Sequence, residues 1–213
     1  MTGERGSLDV PMVRRVLVAV DLGAASGRAV AIAGTIARRA GAGLLVLHAE
    51  TFDAPAYFTR SQIDQLVEER DALHERAQRA VDAFAREHTD TPFDVVIDGR
   101  APADAVLAQA SSADLVVMGT HGRRGPQRWW LGSVAERVRA ATSTPLLVVP
   151  EGIGDPVDEV SVIGPGRPEI NDSPLPAIAS EIARLLGAVV RREPESAARH
   201  PRPMPTLFVP LGH

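Results

Sequence analysis

The sequence predicts an α/β chain: a doubly wound, five-stranded parallel sheet with helices on both faces, followed by a short degenerate β-α-β appendage. Three observations carry this. Short runs of Val, Leu and Ile alternate with segments of helical period. The runs are apolar throughout rather than every second residue, as in parallel strands covered on both faces. The last sixty-odd residues echo parts of the first half.

Taken in order, Val16-Leu17-Val18-Ala19-Val20 reads as the first buried strand. Asp21 to Gly27 reads as a loop, from its glycines and small polar residues. Ala29 to Ala40 is alanine-rich with Ile32 and Ile36 four apart, so it is a helix, and Gly41 stops it. Leu44 to His48 is the second strand, and Asp53 to Arg60 a connecting loop. From Ser61 to Glu87 apolar residues recur at threes and fours, which predicts one long amphipathic helix with a solvated charged face. His74 and His88 lie in its polar pattern and receive no role. Phe93 to Ile97 is the third strand, Ala103 to Ser111 a helix, and Asp114 to Met118 the fourth strand. Ser133 to Ala141 is the next helix, and Pro145 to Val149 the fifth strand, closed by Pro150.

Composition narrows the chemistry. The chain has 213 residues and a net charge of −4, which argues against a general nucleic-acid binder. There is no cysteine, so disulfides, thiolate nucleophiles and Cys-ligated zinc are excluded. There is no lysine either, which removes a Walker-type P-loop, a Schiff-base lysine and a Ser-Lys dyad together. No apolar run is long enough to span a bilayer, and residues 1–12 lack the apolar core of a signal peptide. The expectation is a cytoplasmic chain with no membrane partner and a loosely ordered N-terminus at 1–12.

The stretch that bears on function follows the fourth strand. Gly119-Thr120-His121-Gly122 is followed, nine residues on, by Gly132-Ser133 at the start of a helix. Glycines let main-chain N–H groups approach oxygens closely, and a helix start offers unpaired donors at a positive dipole end. Such a loop suits a polyphosphate, and Arg123 and Arg124 add positive charge to it. The alternative is an ordinary glycine-rich loop; on either reading Ser133 is expected to cap the helix. Asp21, ending the first strand, also has two readings: a carboxylate accepting from an adenine amine or ribose hydroxyl, or a loop aspartate capping the next helix. If the first and fourth strands are neighbours, Asp21 and Gly119 face one crevice.

The spacing Gly119-x-x-Gly122-(nine residues)-Gly132-Ser133 resembles the ATP-binding signature of the universal stress protein family. The resemblance extends over residues 13–152 and includes Asp21 ending the first strand, His48-Ala49 ending the second, and a proline directly after the fifth. It implies an adenine-nucleotide alpha-hydrolase-like fold and an adenine nucleotide, ATP with or without Mg²⁺. By the family pattern Ala19, Asp21 and Ala49 line the adenine side and Met118 lies beside the nucleotide. Gly119, Gly122, Gly132, Ser133 and Val134 hold ribose and phosphates, with Arg123 in a basic position. Trp129-Trp130 depart from the pattern as two bulky rings in the loop, and Pro126 stiffens it. His121 has no second histidine at metal-like spacing and reads as a loop residue.

Residues 153–213 read as a truncated, degenerate second repeat. Ile178 to Ala188 echoes Ile32 to Ala42, and Pro205 to Gly212 echoes Pro145 to Gly152. Val160 to Ile163 falls where a first strand belongs, and Val189 to Arg192 is a short strand. Gly164-Pro165-Gly166 replaces the strand-ending aspartate and no second glycine signature exists, so this copy is not expected to bind nucleotide. It is expected to dock on the edge of the fifth strand, within one chain as a pseudo-dimer or by exchange in a homodimer. The sequence shows no paired catalytic carboxylates and no nucleophile elbow, so any ATP hydrolysis is expected to be slow at most. The reading is a nucleotide-dependent stress-response regulator; the alternative is a protein-interaction module that keeps the fold without the nucleotide.

Overall fold

The computed structural model describes residues 12–50, 60–120, 131–154, 156–163, 176–193 and 204–210, with side chains omitted at 60–70. The N-terminal segment, most of the expected loop at 53–60, the loop at 121–130 and the glycine-proline links of the tail lie outside these residues.

The elements in chain order are β1 (Arg15–Val20), α1 (Ala24–Ala40), β2 (Gly43–Ala49), α2 (Arg60–His88), β3 (Asp94–Asp98), α3 (Pro102–Ala110), β4 (Leu115–Thr120), α4 (Ser133–Ala141), β5 (Leu146–Pro150), β6 (Glu159–Ile163), α5 (Ala177–Leu186), β7 (Val189–Arg192) and β8 (Thr206–Phe208). They form one eight-stranded sheet in the order β3-β2-β1-β4-β5-β8-β6-β7. The first five strands are mutually parallel. β8 runs antiparallel to β5 and parallel to β6, and β7 runs parallel to β6. The tail therefore continues the sheet rather than standing beside it.

Each strand divides its apolar residues between two cores, as period-two geometry requires. Val16, Val18, Leu115, Val117, Leu147, Val160, Val162 and Leu207 pack with α1, α2 and α5 on one face. Leu17, Val116, Met118, Leu146, Val148 and Phe208 pack with α3 and α4 on the other. Burial on both faces explains the unbroken apolar runs.

Most boundaries shift by a residue or so from expectation, and three of the differences bear on the site. β4 continues two residues past Met118, because Gly119 and Thr120 pair with Val149 and Pro150 of β5. α1 begins at Ala24, so the loop after β1 is Asp21 to Gly23 rather than Asp21 to Gly27. Its turn closes on itself: the Asp21 N–H donates to Ser26 Oγ and the Gly23 N–H to Asp21 Oδ1, both at 3.0 Å. The Ser26 hydroxyl donates in turn to Asp21 Oδ1. Finally, α4 is capped by Gly132 rather than Ser133, so the cap residue has no side chain to bond the first turn.

His88 has a structural role that its polar surroundings hid. Its Nδ1 lies 2.8 Å from the Phe84 carbonyl, and its ring occupies the space that a Cβ at Gly27 would need, 2.2 Å from Nε2.

Candidate functional site

β1 and β4 are hydrogen-bonded neighbours, yet their following segments leave to opposite sides, α1 to one face and α4 to the other. A crevice opens outside the carboxyl ends of strands at such a reversal. Here it is a cavity of about 460 Å³, within the range of small-molecule sites.

The floor is apolar. Ala19 from β1, Leu47 and Ala49 from β2, Val106 from α3 and Met118 from β4 line it. The small side chains of Ala19 and Ala49 leave room for a flat ring, and Met118, 5% exposed, gives a polarizable wall. The polar lining residues are Asp21, Ser26, Thr120 and Ser133, and Gly132 to Ala135 bring the first turn of α4. The N-terminal N–H groups of a helix point outward without intrahelical partners. At α4 the cap is a glycine with extended ψ of 156° and no side-chain bond, so no capping oxygen on that residue competes for them.

Of the residues expected at the site, Ala19, Asp21, Ala49, Met118, Gly119, Gly132, Ser133 and Val134 all line this one cavity. Gly122 and Arg123 lie outside the described residues. Both readings of Asp21 coexist geometrically, since Oδ1 closes the turn before α1 while the residue borders the cavity. Leu22 beside it has a φ of 62°, a strained conformation for a branched side chain.

The glycines differ in kind. A Cβ on Gly119 would lie 2.5 to 2.7 Å from the backbone of Ala25 and Ser26, so β4 and the start of α1 touch only because that atom is missing. A Cβ on Gly132 would meet nothing within 4 Å. The Gly132 N–H points at Thr120 Oγ1, 3.4 Å away, so the end of β4 and the start of α4 stand side by side.

Several supporting residues received no role from the sequence, His48 being noted there only as a strand ending. His48 Nδ1–H donates to the Val20 carbonyl at 2.9 Å, tying the ends of β2 and β1 together at the cavity. At the end of β3, Asp98 is 8% exposed and takes three guanidinium contacts from Arg100, the shortest 2.6 Å. That hydrogen bonding holds the Asp98 carboxyl below its usual range, against the opposing effect of burial, and raises the Arg100 guanidinium. The pair fixes the turn that delivers Pro102 and Val106 to the cavity. Arg137 Nη2 bonds Asp104 Oδ1 at 2.7 Å and joins α4 to α3. Ser26 and Thr120 carried a faint signal, as small hydroxyls flanking the Asp21 and Gly119 motifs.

Comparison with known proteins agrees with this architecture. The sequence profile of the universal stress protein family matches residues 12–150. A universal stress protein of Thermus aquaticus is 35% identical over 142 residues, 65% of this chain and 99% of that protein. The chain spans about half the length of Mycobacterium tuberculosis universal stress proteins, 31% identical over 142 residues and 46% of their length. Among solved structures, a universal stress protein from Archaeoglobus fulgidus matches 93% of this chain and 98% of its own, at 14% identity and a TM-score of 0.55, a likeness of fold. A universal stress protein in complex with cAMP is 28% identical, covering 65% of this chain and 98% of that one, with a TM-score of 0.47.

Proposed function

Because this chain belongs to the universal stress protein family, we propose that it binds an adenine nucleotide, ATP, at the carboxyl ends of β1, β2 and β4 and acts as a nucleotide-dependent regulator. The observation that carries the reading is one cavity bordered by residues of three strands and three helices far apart in sequence, with an apolar floor and an open helix start at its rim. A purine is flat and largely apolar on its faces, which suits Ala19, Leu47, Ala49 and Met118. Its amine and the ribose hydroxyls are donors, which suits Asp21. The phosphates are anionic, which suits the N-terminal turn of α4 at Gly132, Ser133 and Val134. Gly122 and Arg123 complete the phosphate side in this reading.

Mg²⁺ enters as the counter-ion of the phosphates. Among the described residues no group of three or more His, Asp or Glu side chains is placed to hold a metal ion, and Mg²⁺ is commonly bound by one or two carboxylates plus substrate phosphates. Among the described residues that line the cavity, Asp21 is the one carboxylate, and the reading is retention of ATP with slow turnover at most.

Thermal shift with ATP, ADP, AMP and cAMP, each with and without Mg²⁺, tests the proposal. ATP is expected to give the largest rise, growing with concentration as mass action requires. No rise with any nucleotide at millimolar concentration would favour the interaction-module reading instead. Phosphate release from ATP, compared with the Asp21→Ala variant, then separates binder from enzyme.

A further inference from the structure

The tail reproduces the geometry of the first β-α-β unit in detail. Gly41 and Gly187 end α1 and α5 in the same left-handed conformation, at φ of 67° and 74°. The Ala42 N–H then bonds the Ala37 carbonyl at 2.8 Å, and the Ala188 N–H the Ala183 carbonyl at 2.9 Å. The next strand returns to the residue before the first one in both cases: Gly43 N–H to Arg14 O at 2.9 Å, and Val189 N–H to Asp158 O at 2.8 Å. Arg15 is in register with Gly43 as Glu159 is with Val189. A coincidental helix would not repeat cap, return and register together.

The two units are related as the halves of a two-fold dimer are. β8 runs antiparallel to β5 with Leu147 opposite Leu207, flanked by Leu146 opposite Phe208 and Val148 opposite Thr206. Leu147 and Leu207 hold the same place in Pro145-Leu146-Leu147-Val148-Val149-Pro150 and Pro205-Thr206-Leu207-Phe208-Val209-Pro210. Like therefore meets like at the centre, and the neighbours exchange, which is the mark of an isologous contact. The helices obey the same relation. α1 and α5 share one core, and Arg39 Nη1 donates to the Leu185 carbonyl at 2.6 Å. Arg39 and Leu185 occupy the same place in the two echoing helices.

We propose that residues 153–210 are a built-in second subunit: β8 takes, on the edge of β5, the position that β5 of another copy would take, and so keeps the chain monomeric. Without β8, β5 would present an unpaired edge of buried apolar residues, a template for self-pairing. The two edges that remain, β3 and β7, carry charged residues, Asp94 and the Asp98–Arg100 pair on one and Arg192 and the Arg191–Glu159 pair on the other, and charge along an edge discourages self-pairing. The shortened copy omits any counterpart of the glycine signature, so the assembly has one signature rather than two.

Light scattering on the full chain tests this directly, with an expected mass of 22.6 kDa. The chain lacks cysteine, so the double variant Leu147→Cys/Leu207→Cys reports the pairing cleanly. Oxidation is expected to link the two within one chain and leave the mass unchanged. Truncation after Gly152 leaves a unit of the extent that makes up nearly the whole Thermus aquaticus relative. That unit is expected to run as a dimer, and its Leu147→Cys variant to cross-link to itself. A full chain that runs as a dimer with its cysteines linked between chains would overturn the proposal. So would a truncated chain that is folded by circular dichroism yet stays monomeric and unlinked.

Discussion

Gly119 and Gly132 look alike in the sequence and do different work. Gly119 allows β4 and α1 to touch, and what an added methyl would meet is backbone. Gly119→Ala is therefore expected to destabilise the fold by about 1–3 kcal/mol, the usual cost of overpacking, measurable by urea denaturation. The sequence could not separate this use from nucleotide contact, because both require the absence of a Cβ. Asp21 was similarly ambiguous, and its geometry keeps both uses open. Asp98 gave no signal at all, because its value comes from Arg100 folding back over it. Its folded pKa is depressed, so its contribution to stability is present above the unfolded carboxylate range and is lost as pH falls through the folded value. The stability gap between the native chain and Asp98→Asn is expected to be widest near neutrality and to close below about pH 4, as thermal melts across pH would show.

Elements were legible wherever burial on both faces makes the sequence apolar without interruption. β1, β2, β4 and β5 fall where such runs predict them, and the half-buried edge strands β3 and β7 were legible from shorter apolar stretches. Ends were less legible because they depend on partners that the local sequence does not contain. β4 runs on through a glycine because β5 lies alongside to bond it, and α1 starts early because Asp21 and Ser26 satisfy each other across the turn. In α2, the ion pairs Arg79–Glu75 at 3.3 Å and Arg86–Asp82 at 2.7 Å form the solvated face that the charge pattern predicts. The start of α4 offers a test of stability against function. Gly132 has an extended cap conformation and open space around its missing Cβ. Gly132→Asp is expected to supply the absent cap, with stability unchanged or raised by a few tenths of a kcal/mol. The same carboxylate would occupy the N–H groups proposed for phosphate and repel the anion, so nucleotide binding is expected to be lost.

For the whole molecule, the sequence supplied the parts and the echo between them but not their order in space. Strand order is set by contacts between segments far apart in the chain, which no local pattern records. The echo between Pro145–Pro150 and Pro205–Pro210 hinted at pairing, and the register of β5 with β8 shows what that pairing is. One continuous core runs from Val16 through Leu147 to Leu207 and Ile182. The chain is therefore expected to unfold in one cooperative transition despite its two-part sequence. Leu207 is fully buried, and Leu207→Ala is expected to cost about 2–5 kcal/mol. The expected signature is a lower single melting temperature in calorimetry, where a separately docked tail would give two transitions.

Titration calorimetry of ATP into the full chain and into Gly132→Asp tests the nucleotide reading most directly. The account predicts saturable heat with one site per native chain, and none in the variant although its melting temperature is preserved. Equal binding by both proteins, or no heat from the native chain at millimolar ATP, would contradict it.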